Sequence, residues 1–255
     1  MTIMESLHFC YDGKYSNDFG LINVSMQSGL FDEAFAPTRS INETKVKGRY
    51  NPYFQGLEYE PITLKLTFAF EDSWDDKRIR EVKRWLIQDY YKPLWFNESP
   101  DEIYYCIMVD EARHLHNGLK QGYITITMRC DGPFTYSPIN LSKNFKVIDS
   151  QVTEIENLGD VICKPEIFIK KVGNGDISII NQTNGDKVFE FKNLLDGETV
   201  YVDCENEYIE TNLMNTYRYN NFNNQYISMV VGRNTLTLQG SAEIQFRYVF
   251  RRYQG

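Results

Sequence analysis

The chain has 255 residues, 42% hydrophobic and 24% charged, with a formal net charge of -8, enough to bury one large core or two of ordinary size. The acidic excess argues against tight binding to phosphate backbones. A mean hydropathy of -0.46, with no apolar run near 18 residues, argues against a transmembrane helix, which needs about that many.

Met1 to Phe9 carries Glu5, Ser6 and His8 where a secretory leader needs a basic and then an apolar stretch, so export by the general route is not expected. Asp12-Gly13 is the first of the turn signals. Residues 32–60 then mix charges, prolines and exposed-looking aromatics without a sustained period. A loop of that length inside a compact domain is uncommon and usually functional, so this segment is expected to be an extended arm. Ile62, Leu64, Leu66, Phe68 and Phe70 alternate with smaller or polar residues, the pattern of a half-buried strand.

One helix is expected over about 74–91. Ser73 is its candidate N-cap, and Asp75 and Asp76 suit the positive end of the helix dipole. Ile79, Val82, Leu86 and Tyr90 form the apolar stripe and Pro93 ends the continuation. Basic residues Lys77, Arg78, Arg80, Lys83 and Arg84 are interleaved with Asp75, Asp76, Glu81 and Asp89, as on a solvated face. A second strand runs from Tyr123 to Cys130 with Ile124, Ile126, Met128 and Cys130 inward. Asp131-Gly-Pro-Phe-Thr-Tyr-Ser-Pro138 ends one β run before another begins near Val147, which sets the expected domain boundary. Asn117-Gly118, Asn174-Gly175, Asn184-Gly185 and Asp196-Gly197 supply the positive φ of tight hairpins. Ile244, Phe246, Tyr248 and Phe250 close the chain with another alternating run. Aromatic residues, 15% with 18 Tyr and 16 Phe, suit pleated surfaces better than helices. The fold class is mainly β.

Chemical motifs are sparse. The five cysteines (Cys10, Cys106, Cys130, Cys163, Cys204) are odd in number, far apart and never in a CxxC pair. Neither a zinc site nor a disulfide framework fits that spacing, and reduced, buried thiols of a chain folded in a cytosol are expected. His114-Leu-His116 on an extended segment places both imidazoles on one face, with Asp110 or Glu111 near enough in sequence to complete a metal site. A polar strand beside a turn is the simpler reading. No GxSxG, HExxH, P-loop or GxGxxG occurs. Val172-Gly-Asn-Gly-Asp176 precedes a strand pattern and not a helix, so it reads as a hairpin turn. Glu205 and Glu207 could serve glycoside hydrolysis only if opposed in space. Sugar-binding sandwiches usually stack a ring on an aromatic side chain. Trp74, Trp85 and Trp95 all lie in the front half, leaving Tyr201, Tyr208, Tyr217, Tyr219 and Tyr226 as substitutes behind.

Seven stretches, taken in order, resemble the distal tail proteins (Dit) of siphovirus-type bacteriophages. They are Phe9-Cys-Tyr-Asp-Gly-Lys-Tyr-Ser-Asn-Asp-Phe-Gly-Leu21, Leu66-Thr-Phe-Ala-Phe70, Lys83-Arg-Trp-Leu86, Tyr91-Lys-Pro-Leu-Trp-Phe96, the 130–138 run, Gly173-Asn-Gly-Asp-Ile-Ser-Ile-Ile-Asn181 and Gly197-Glu-Thr-Val-Tyr-Val-Asp-Cys204. The resemblance covers nearly the whole chain. It implies two domains: an N-terminal β-sandwich-like ring domain (1–138) with one α-helix and an extended arm, and a C-terminal galectin-like β-sandwich (139–255). It also implies a structural virion protein at the tail tip, made in the host cytoplasm, with no enzymatic activity and no cofactor or metal.

In that family six copies form a ring, sometimes paired with a second ring, that joins the tail tube to the tip or baseplate. The implied partners are copies of the chain itself, the major tail tube protein, a tail-tip or tail-associated protein and a receptor-binding protein. Neither specific nucleic-acid binding nor membrane binding is implied, although DNA crosses the ring, and an acidic lumen would not hold it by counterion release. Some longer relatives insert carbohydrate-binding modules into the back domain, for which this chain has no room. Phe35, Arg39, Tyr50, Tyr53 and Phe54 of the arm are of types enriched at interface cores and are the expected subunit contacts. Two alternatives stay open: a carbohydrate-binding β-sandwich module for host surface recognition, and a glycan-cleaving enzyme.

Overall fold

Alternating burial builds almost every element. A computed structural model describes residues 5–24 and 36–254, and they divide into two units. One unit runs to Tyr136 and takes back Tyr253 near the end of the chain; the other is Ser137–Arg252. The fold is mainly β, with one α-helix among the described residues and curled sheets.

In the first unit one antiparallel sheet is ordered Lys14–Tyr15, Phe9–Tyr11, Lys92–Phe96, Ser99–His116, Gly122–Cys130, Thr63–Phe70, Leu21–Asn23. Thr63–Phe70 buries Leu64, Leu66, Phe68 and Phe70, and its neighbour buries Ile126, Met128 and Cys130, so the two inner rows merge into one core. Asp12 and Gly13, both left-handed, close the first hairpin. The long strand bulges between Val109 and Arg113, where its partner advances only from Thr127 to Thr125. The residues it buries lie before this bulge, and from Asp110 to His116 every residue is exposed.

The helix spans Asp76–Leu86, shorter at both ends than the expected 74–91. Its N-cap is Asp75 and not Ser73: the Asp75 carboxylate accepts the Arg78 amide at 2.7 Å. At the other end Ile87 is already extended, because the chain must reach Lys92–Phe96, which pairs with Phe9–Tyr11. Tyr90 therefore lies beyond the helix and is exposed, and Trp85 takes the central place on the buried face. The Trp85 ring stacks on Phe19 (4.3 Å between centroids) and Phe9 (5.5 Å), and Phe9 stacks on Phe68 (4.6 Å).

The second unit has two sheets. In the six-stranded one, Asn140–Leu141 and Phe145–Val147 both pair with Ala242–Tyr248, followed by Glu166–Lys171, Thr199–Asp203 and Tyr208–Thr211. The four-stranded sheet is ordered Ser150–Asn157, Gly232–Gln239, Gly175–Asn181, Lys187–Leu194. Ile167, Ile169, Val202, Ile244 and Phe246 from the first meet Ile177, Ile179, Phe189, Phe191, Leu236 and Leu238 from the second in one core, a β-sandwich.

The Asn-Gly pairs do not all work as expected. At 117–121 the left-handed residue is Lys120 and not Gly118; Asn117 instead accepts the amides of Leu119 and Gln121 through its side chain. All five cysteines are free and buried, and burial pushes Cys163 up to about 11 and Cys204 up to about 12. No helix among the described residues is long and apolar enough to cross a membrane.

Candidate assembly surface

The arm is a two-stranded ribbon. Arg39–Thr44 pairs antiparallel with Tyr53–Tyr59, and among the described residues neither strand joins any other sheet. Among the described residues both outer edges thus keep unpaired backbone donors and acceptors, an arrangement that invites pairing with another chain. Register starts as Arg39↔Tyr59, Ser40↔Glu58, Ile41↔Leu57 and Asn42↔Gly56, then skips Gln55 so that Glu43 faces Phe54 and Thr44 faces Tyr53.

That one-residue bulge sorts the ribbon into two faces. Ile41, Leu57, Tyr59 and Phe54 share the first with Arg39 and Glu43; Ser40, Asn42, Thr44, Glu58 and Tyr53 share the second. On the apolar face Ile41 is 63% and Phe54 67% exposed. A face of that composition, bare on both strands, is unlike an ordinary soluble ribbon. Its base is fixed by Tyr59, whose ring lies 6.2 Å from Tyr253 and 6.4 Å from Phe134. Hydrogen bonds with Tyr253 and then Arg39 hold the Tyr59 hydroxyl below its ordinary pKa.

Of the expected contact residues, Phe35 lies outside the described residues. Arg39 faces Tyr59 at the base, and Tyr50 is fully exposed in the turn. Tyr53 sits on the polar face with the Arg49 guanidinium over its ring at 4.4 Å and hydrogen-bonded to its hydroxyl. Phe54 and Arg39 share the first face with Ile41, Leu57 and Tyr59, three apolar residues that sequence reasoning did not single out. The alternation of Arg39, Ile41 and Glu43 was the available clue; the bulge at Gln55 breaks the matching pattern on the return strand.

Elsewhere in the first unit, the hairpin of Ser99–His116 with Gly122–Cys130 and the helix flank an apolar groove of about 350 Å³ lined by Ile79, Val82, Leu86, Ile87, Met108 and Ile124. His114 and His116 do share one face, with centroids 4.8 Å apart, and both pack on Trp74. Partial desolvation of its ring, then His116 and Lys83, hold the His114 imidazole below its ordinary pKa although the residue is exposed overall. Among the described residues no three His, Cys, Asp or Glu side chains gather as a metal site. Glu205 is ion-paired with Arg251 at 3.2 Å, and the 172–176 segment leads into the strand Gly175–Asn181. Of the tyrosines considered for sugars, Tyr226 donates its hydroxyl to the Glu207 carbonyl and the Tyr219 hydroxyl accepts the Ile209 amide.

Comparison with known proteins adds a lineage to this geometry. Residues 4–132 match the model of a phage tail protein N-terminal domain, and residues 122–248 that of a phage tail C-terminal domain. The SPbeta prophage-derived protein YomH of Bacillus subtilis (strain 168) is 31% identical over 98% of this chain and 99% of its own. Among solved structures, the fold matches the Dit protein of phage SPP1, described as a hub of the adsorption apparatus in phages infecting Gram-positive bacteria. The TM-score is 0.72 at 15% identity, covering 95% of this chain and 98% of that one. A chain of the phage p2 baseplate in its activated conformation matches with a TM-score of 0.52 at 8% identity, over 95% of this chain and 97% of its own.

Proposed function

The chain belongs to the phage tail protein family, and from that membership we propose that it is a structural hub of the tail. Six copies close a ring between the tail tube and the tip or baseplate and leave a channel through which DNA passes. The first unit, with residues 1–138 as the ring-forming domain, supplies the contacts; residues 139–255 face tip components or a receptor-binding protein. The protein is made in the host cytoplasm, works in the virion and catalyses no reaction.

One observation carries this reading: among the described residues the 39–59 ribbon has two open edges and an apolar face on which Ile41 and Phe54 are exposed. A second copy is its occupant. A head-to-tail contact repeated around a closed ring covers every copy's ribbon at once, whereas a monomer leaves all of them in water. The charge is consistent with the channel, since a formal -8 per copy repels a passing phosphate backbone.

Ile41→Asp and Phe54→Asp put a charge on the apolar face without touching either core. Light scattering is expected to give six times the 30.0 kDa protomer mass for the unaltered chain and the protomer mass for both variants. A variant that keeps the hexamer mass removes the ribbon from the interface.

A further inference from the structure

The outward face of the six-stranded sheet is not an ordinary solvent face. Register sets its side chains in rows across the strands. One row is Gln245, Phe168, Tyr201 and Glu210; the next is Glu243, Lys170 and Thr199, with Asn212 beside Thr199. The two aromatic rings therefore stand side by side on the central strands, 5.1 Å apart, with polar groups at both ends of the row. Phe168 remains 39% exposed there. A groove of about 340 Å³ opens over them, and the acids, amides and Lys170 of the two rows, with Asn144, form its polar rim.

The platform is held in place beforehand. Glu166 lies beside Tyr201 and is fixed by Arg247 at 3.0 Å. Burial, then the Glu166 carboxylate, pushes the Tyr201 hydroxyl up to about 12, so it stays protonated. Gln245 is anchored to the Ser142 carbonyl at 3.1 Å, and Asn144 reaches Glu243 at 3.3 Å. Glu210 and Lys170, by contrast, take no ion pair or side-chain hydrogen bond among the described residues.

We propose that this groove binds a neutral pyranose chain, with a sugar face on the Phe168 and Tyr201 rings and its hydroxyls on Glu210 and the rim amides. An apolar floor with a few convergent polar groups is the general form of a ligand site, and carboxylates and amides match hydroxyls, which both donate and accept. Glu210 and Glu243 outnumber Lys170, which opposes phosphate- or sulfate-bearing polymers. The site lies wholly within the second unit and does not depend on ring closure, so either proposal stands or falls without the other.

The test titrates the full chain with cellobiose, maltose, lactose and chitobiose, and with a glycerol-phosphate polymer as the anionic counterpart, followed by calorimetry and saturation-transfer NMR. At least one disaccharide is expected to bind in the millimolar range. Tyr201→Ala and Glu210→Gln are each expected to weaken it about tenfold or more. Glu210 is exposed, so Glu210→Gln should leave the thermal midpoint unchanged and separates lost binding from lost folding. The proposal is overturned if none of the four disaccharides binds, if both variants bind as the unaltered chain does, or if the anionic polymer binds best. Protein ligands that occupy the groove while every sugar fails would mark it as a docking face instead.

Discussion

Replacing Arg218 with methionine is expected to destabilise the second unit by about 3–5 kcal/mol, the usual cost of breaking one side of a buried ion pair. The Glu198 side chain has no exposure, and the Arg218 guanidinium meets it with two bonds, at 2.8 and 2.6 Å. Thr211 donates to the same carboxylate at 2.7 Å and the Leu195 amide at 3.0 Å. Without Arg218, two neutral donors are left to hold a charge that water cannot reach. Denaturant unfolding at neutral pH, followed by a probe in the second unit, measures the loss.

The same site sets a pH dependence with a definite sign. Burial alone would push the Glu198 pKa up, but the guanidinium, the Leu195 amide and the Thr211 hydroxyl outweigh it and hold it below the ordinary 4.5. A depressed acid stabilises the fold above its unfolded pKa, and that contribution is lost as pH falls through the folded one. In Arg218→Met burial wins and the Glu198 pKa rises, so protonation relieves the variant on acidification. The gap between the two proteins should be widest near neutral pH and narrow in acid. A gap independent of pH would mean that Glu198 is not the group left unpaired.

Trp85→Ala is expected to cost the first unit about 3–5 kcal/mol, the range for a large aromatic removed from a core. Trp85 is 2% exposed and is the point where the helix meets the sheet. Its ring lies between Phe19 and Phe9, and its Nε1 donates to the Tyr11 carbonyl at 2.7 Å. Deletion leaves a cavity and takes the indole donor away from the Tyr11 carbonyl at the same time. Trp85→Phe keeps most of the packing and loses the hydrogen bond, so its expected cost is only about 1 kcal/mol. Chemical denaturation of the two variants should rank them in that order, and equal costs would assign the effect to the hydrogen bond.

Some of this was legible in residue order. Thr63–Phe70 and Gly122–Cys130 alternate cleanly because one face of each lies on the core. Helix length was less readable: the stripe continues to Tyr90, but pairing of Lys92–Phe96 with Phe9–Tyr11 pulls the chain out of the helix after Leu86, a tertiary demand that periodicity does not carry. The ribbon's apolar face was hidden by a single extra residue, Gln55, which shifts the period by one. Ile41 and Leu57 therefore escaped notice while the larger aromatics Tyr50 and Tyr53 drew it. The Phe168–Tyr201 platform needs the registers of strands far apart in sequence. No local pattern reports them. Nor does any motif join Glu198 to Arg218.

Negative-stain electron microscopy of the full chain tests the hub account most directly. Particles with six-fold symmetry and a central opening, single or paired face to face, are the expected result. Single protomers alone, at every concentration imaged, would contradict it.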